Sequence, residues 1–97
     1  MRVYGNKDGN IGLYELKTLR DMQKFVGGWI EAFRMSNGLM IVCDDEALLK
    51  GKPVTVTVII NNVPVDIRGN YFYCNTNKND FCGLSDKDLK KLGVKYD

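Results

Sequence analysis

Apolar positions along the chain switch between a period of two and a period near 3.6, and the switches mark the elements. Arg2-Val3-Tyr4 and Ile11 to Leu16 are short β-prone runs on either side of Gly5-Asn6-Lys7-Asp8-Gly9-Asn10. Asp8-Gly9 supplies residues that tolerate φ > 0, so the opening predicts a hairpin. From Thr18 the period lengthens. Leu19, Met22, Phe25 and Val26 share one helical face, with Thr18 placed as N-cap and Asp21 at the third helical position. Gly27-Gly28 should end this helix, because glycine enters the left-handed region without a Cβ penalty.

Trp29 to Met35, Ser36-Asn37-Gly38 and Leu39 to Asp44 read as a second hairpin around an Asn-Gly reversal. Trp29, Phe33 and Met35 on one side, with Ile30 and Ala32 on the other, make both faces apolar. That pattern predicts strands lying centrally in a sheet, with Glu31 and Arg34 as exceptions. Asp44-Asp45-Glu46 followed by Ala47 to Gly51 predicts a turn or two of helix, its carboxylates near the positive end of the dipole.

Beyond Pro53, Val54 to Ile60 is the strongest β-propensity run, and Val65 to Arg68 and Tyr71 to Cys74 follow across turn residues. The polar tract Asn75 to Asp80 reads as a loop and Phe81 to Leu84 as a return to the core. Ser85 should cap a last helix through Leu92, with Asp88 three residues on and Gly93 at its end. These elements predict one α+β domain over residues 1–97, a small mostly antiparallel sheet of about five strands with two to three short helices packed on it.

Composition agrees with one globular core: 97 residues, 44% hydrophobic and 27% charged. Fourteen Lys and Arg against twelve Asp and Glu leave a formal charge of +2. A DNA mimic should be strongly acidic and a DNA binder clearly basic, so this balance argues against nucleic acid as a partner. The densest basic run, Lys87, Lys90, Lys91 and Lys95, is interleaved with Asp86, Asp88 and Asp97 and reads as a solvated helix face. No segment approaches the run of about 20 apolar residues that spans a bilayer, and Met1 to Gly5 opens no signal-like apolar stretch. The three cysteines, Cys43, Cys74 and Cys82, are an odd number, which fits reduced thiols in a cytoplasmic setting. A disulfide between Cys74 and Cys82 across the polar tract is the alternative.

Histidine is absent from the sequence. That removes the usual general base near neutral pH, the Ser-His and Cys-His pairs, and the commonest metal ligand. Cys43, Cys74 and Cys82 match no zinc spacing, and Asp44-Asp45-Glu46 reads as a charge cluster at a helix start before it reads as a cation site. Gly5, Gly9 and Gly12 match neither the dinucleotide fingerprint nor the P-loop; the loop reads as a turn, with phosphate cradling second. No cofactor is expected. Trp29, Tyr71 and Tyr73, with Arg34 and Arg68, are residue types that stack on planar ligands and grip phosphate, and they are also what a sheet core uses.

Met22-Gln-Lys-Phe-Val-Gly-Gly-Trp-Ile-Glu31 resembles an uncharacterised family of small bacteriophage and plasmid proteins, in which a short helix ends in Leu-Gln-x-x-Val-Gly-Gly before an aromatic, Ile and Glu. The likeness continues through Asn37-Gly38-Leu39, Val42-Cys43, Asp45-Glu46 and Leu49-Lys50-Gly51-x-Pro53, and loosely through Ile67-x-Gly69 to Leu84-Ser85-Asp86. The family often has a helix-compatible stretch after the proline, whereas here Pro53 leads into Val-Thr-Val-Thr-Val, leaving strand and helix both open for residues 54–60.

The resemblance implies a mobile-element setting in a bacterial cell, where small proteins without catalytic machinery act by binding. The expected function is a non-enzymatic accessory protein, acting as a homo-oligomer, that counters host antiviral defence by sequestering a nucleotide signal. Trp29, Glu31, Arg34, Arg68 and Tyr71 are the candidate ligand residues, Arg34 and Arg68 for phosphate and Trp29 or Tyr71 for a base, in a pocket between protomers. Direct inhibition of a host defence protein is one alternative. A small metal-dependent enzyme acting on nucleotides or phosphodiesters through Glu31 and the Asp44 cluster is another.

Overall fold

The computed structural model describes residues 1–94, so Lys95 and Asp97 of the basic run lie outside the described residues. The chain forms β1 (Arg2–Lys7), β2 (Asn10–Glu15), α1 (Leu19–Val26), β3 (Ile30–Arg34), β4 (Met40–Asp44), β5 (Val54–Ile60), β6 (Val63–Arg68), β7 (Tyr71–Asn77), β8 (Asp80–Cys82) and α2 (Asp86–Lys91). The main sheet runs β2-β1-β7-β4-β3 with β8 paired to β7, and β5-β6 form a separate two-stranded sheet. Every pairing is antiparallel.

The fold is α+β as expected, with eight strands instead of about five and with two helices among the described residues. Polar tracts lengthen β1 and supply one strand, β8, that the pattern of apolar positions did not mark. Only Asp8-Gly9, with φ of 53° and 88°, forms the first reversal, so Gly5 to Lys7 extend β1. Asn75 to Asp80, read as a loop, instead makes a hairpin: β8 pairs with β7 at Asn75↔Cys82, Thr76↔Phe81 and Asn77↔Asp80. β1 meets β7 only from Tyr71 to Tyr73, and the unpaired remainder of β7 finds its hydrogen bonds in β8. Residues 54–60 are a strand, with Val56, Val58 and Ile60 packed inward.

Residues 44–51 do not form the expected helix. Asp44 ends β4, its Oδ1 accepts the Glu46 N–H at 3.0 Å, and the chain proceeds through separate turns. The side-chain bond offers the backbone a local alternative to helix. The second hairpin is also only half central. β4 lies between β7 and β3, while β3 is an edge strand. Apolarity on both faces did not distinguish them, because both faces of this sheet are covered.

One face packs Val3, Val42, Phe72 and Cys74 against Phe25 and Val26 of α1. Phe25 meets Phe72 and Tyr14 edge to face, at 5.5 and 4.9 Å between ring centroids. The other face packs Ile41, Cys43 and Tyr71 against Val58 and Ile67 of the β5-β6 hairpin and Leu89 of α2. Both helices start on a reciprocal capping box, Thr18 with Asp21 and Ser85 with Asp88, as the spacing predicts. Lys87, Lys90 and Lys91 are exposed on α2.

All three cysteines are free thiols. Burial pushes Cys74 up to about 12, helped by neighbouring Cys82; burial pushes Cys43 up to about 11, helped by Glu31, Asp44 and Asp45. Since the thiolate is the nucleophile, iodoacetamide at pH 8 is expected to label Cys82 alone in the folded protein and all three cysteines after unfolding. Peptide mapping of the alkylated protein checks this, and native labelling of Cys74 would contradict the burial described.

Candidate functional site

The Asp44 carboxylate, whose side chain is 0% exposed, is a densely connected polar group. It stands where α1 ends. Gly27 takes the left-handed cap (φ 84°), and the N–H groups of Gly27 and Gly28 both donate to Gln23 O. The last carbonyls of the helix need other partners. Lys52 Nζ donates to Val26 O and Lys50 Nζ to Gly27 O, each at 3.0 Å. Both ammoniums also donate to Asp44 Oδ2, at 2.7 Å from Lys50 and 2.8 Å from Lys52.

Burial alone would raise the Asp44 pKa, but the bonds from Lys50, Lys52 and the Glu46 N–H outweigh it and hold it down at about 2. Lys50 is raised in turn by its bond to Asp44. The cluster is fitted closely to glycine: a Cβ on Gly28 would lie 2.7 Å from both Asp44 Oδ1 and Lys50 Nζ, and one on Gly69 would lie 2.6 Å from Lys52 Cδ. Val26-Gly27-Gly28, Lys50 and Gly69, distant in sequence, thus meet around the buried Asp44 carboxylate and its two partly exposed lysines.

Lys52 is also part of the wall of an open cleft of about 540 Å³ between the β1-β2 turn, the end of α1 and the segments at Pro53 and Gly69. Lys7, Lys24, Thr55 and Asn70 line it further. The turn is held in place internally: Asn70 Oδ1 accepts the Asp8 N–H, Asn6 Oδ1 accepts the Gly9 N–H, and Asn70 Nδ2 donates to Phe25 O. Those N–H groups are committed, so the turn is no phosphate-cradling nest.

What the cleft offers is ammonium charge. Lys7 lies over the Phe25 ring at 5.9 Å and, like Lys24, is exposed. Both also line an adjoining hollow of about 490 Å³ that includes Lys17. With Lys52 matched to Asp44, two lysines face the cleft against the single carboxylate of Asp8.

Within this one chain the five candidate ligand residues lie in separate places, apart from Glu31 and Arg68. Glu31 and Arg68 share a small cavity of about 180 Å³ with Asp45 and Asp66. Arg68 donates inward to Lys52 O at 3.0 Å. Trp29 lines a different hollow of about 350 Å³ with Gln23, Glu46 and Lys50. Arg34 lies at the other end of β3, donating to Gly38 O and Thr76 Oγ1. Tyr71 is only 5% exposed, packed in the core with its ring edge to face on Tyr73.

Among the described residues no group of three or more Cys, Asp or Glu side chains is placed to hold a metal ion. Asp44, the first carboxylate of the Asp44-Asp45-Glu46 triplet, is engaged by two lysines. Sequence reasoning missed Lys7, Lys24 and Lys52. The nearest signals were the glycine-rich turn that holds Lys7 and the Lys-Gly-x-Pro step that holds Lys52. The signature of DUF3846, a domain of unknown function, matches residues 2–97. The chain belongs to this family. No curated protein and no solved structure matches it. In this DUF3846 chain no helix among the described residues is long and apolar enough to cross a membrane.

Proposed function

We propose that this DUF3846 protein is a non-enzymatic binding protein that takes a phosphate-bearing small molecule of nucleotide size in the Lys7-Lys24-Lys52 cleft. The observation that carries the reading is the combination of volume and charge. A cleft of about 540 Å³ lies within the span of small-molecule sites, roughly 300–1,000 Å³, and its exposed charges are the ammoniums of Lys7 and Lys24 against the one carboxylate of Asp8. Thr55 and Asn70 supply hydrogen-bonding groups at its wall, and Val26 and Pro53 supply apolar surface. The chain's lack of histidine and the engagement of Asp44 by lysine favour holding a ligand over turning it over.

In the phage or plasmid setting implied by the family likeness, such binding would remove a nucleotide signal made by a host antiviral system. Calorimetric titration against a panel of linear and cyclic nucleotides tests this. Binding is expected for at least one, and Lys7→Ala with Lys24→Ala should weaken it by roughly 10- to 100-fold, since each charge-assisted bond contributes about 1.5–3 kcal/mol before screening. No heat with any nucleotide at tens of micromolar protein would sink the reading.

A further inference from the structure

At the end of the sheet where β4 leads into the 45–51 turn, three large apolar side chains stand in solvent: Trp29 67% exposed, Leu48 70% and Leu49 84%. They do not ride on a loose loop. The Asp45 N–H donates to Trp29 O at 2.9 Å, Ala47 is buried, and Lys50 and Lys52 tie the far end of the turn to Asp44. Tryptophan is the residue type most enriched among the few side chains that carry much of an interface's energy, and a backbone already held costs less to order on binding.

The charge around them is mostly acidic. Glu31, Asp45, Glu46 and Asp66 are exposed there against one exposed cation, Lys50, which is already paired with Asp44, while Arg68 donates inward to Lys52 O. From these observations we infer that the Trp29-Leu48-Leu49 end is a docking surface for a protein whose matching face is basic, rich in lysine and arginine around an apolar recess.

Charge selects this occupant over the others. A second copy meeting the same face about a two-fold axis would set acidic rim against acidic rim. An anionic membrane surface would repel it, and nucleic acid would as well. The surface is independent of the cleft, so one reading can fail while the other stands.

The test places a photo-crosslinking amino acid at Leu49 and, as control, at Ile11 on the opposite edge of the sheet, in the full chain expressed in its native cells. The expected result is a protein adduct from position 49 and not from position 11. The protein so identified, once purified, should bind the unmodified chain through a lysine- and arginine-rich face, with association slowed by salt. Trp29→Ala should then weaken binding by about 30-fold or more, the size of a hot-spot truncation. Asp45→Lys with Glu46→Lys should slow association, and Lys7→Ala with Lys24→Ala should leave binding unchanged. Trp29 and Leu49 are exposed, so circular dichroism should show these variants folded. An adduct only with a second copy or with lipid, no adduct at all, an acidic contact face on the partner, or binding indifferent to Trp29→Ala would each overturn the inference.

Discussion

Gly5→Ala is expected to abolish the cooperative thermal unfolding transition and to leave the protein largely insoluble. β1 and β7 approach so closely at the pair Gly5↔Phe72 that a Cβ on Gly5 would lie 2.3 Å from Tyr71 O and 2.8 Å from Phe72 Cα. These are backbone atoms of a strand buried on both faces, and they cannot swing aside as the tip of a side chain could. Relief would require β1 to separate from β7, taking Val3 and the whole β1-β2 hairpin with it. The stability of a domain this size is of order 5–15 kcal/mol, and losing that strand pairing and its share of the core consumes most of it.

Gly12→Ala is the matched control. Gly12 faces Gly5 across the hairpin, yet a Cβ there would meet nothing within 4 Å. Its melting temperature should stay close to that of the unmodified chain, since alanine costs less backbone entropy than glycine. Far-ultraviolet circular dichroism during heating distinguishes the two variants. A Gly5→Ala protein melting within a few degrees of the original would show that the strands are not so tightly apposed.

Asp44→Ala should destabilise the fold by about 1–3 kcal/mol, the cost of leaving hydrogen-bonding groups without their buried acceptor, since the two ammoniums it frees are partly exposed. Without the carboxylate, Lys50 and Lys52 would confront each other beside Gly28, and the Glu46 N–H would lose its acceptor. Asp44→Asn, which keeps the shape and the Glu46 bond, should cost less.

The pH dependence follows the same logic. The folded pKa of Asp44, about 2, lies below its ordinary 3.8. Its contribution to stability is therefore complete above the unfolded value and is lost as pH falls through the folded one. Between pH 4 and pH 2 the unmodified protein should lose more stability than Asp44→Asn does. Asp21 and Asp88 are also depressed, so the variant should keep a residual acid sensitivity. Denaturant titrations of both proteins at pH 2, 3, 4 and 7 measure the difference, and parallel curves would refute the role given to Asp44.

The consequence of Asp44→Ala should reach beyond stability. Lys52 lines the basic cleft and Lys50 borders the Trp29 hollow, so one carboxylate holds a wall of each candidate surface. This is also where reading residue types along the chain falls short. Trp29, Glu31, Arg34, Arg68 and Tyr71 stand out along the chain by residue type alone. Their placement differs: an edge-strand start for Trp29, a core for Tyr71, inward bonds for Arg68. Lys7, Lys24 and Lys52 drew no attention because an isolated lysine in a turn or helix looks the same wherever it faces.

Local signals in the chain settle what near neighbours can decide. Thr18 with Asp21 and Ser85 with Asp88 start the helices, Gly27 stops the first, and Asp8-Gly9 and Asn37-Gly38 reverse the chain. Such signals act within a few residues, through side-chain caps and the positive φ that glycine permits. Tertiary structure alone decided the rest. It placed β3 at an edge, recruited the polar 75–80 tract to complete β7, and made a string of turns where carboxylates promised a helix. It also gathered Asp44, Lys50 and Lys52 around the end of α1. The physical reason is that each of these outcomes satisfies a hydrogen bond or a charge whose partner comes from a distant part of the chain, and no local pattern records that need.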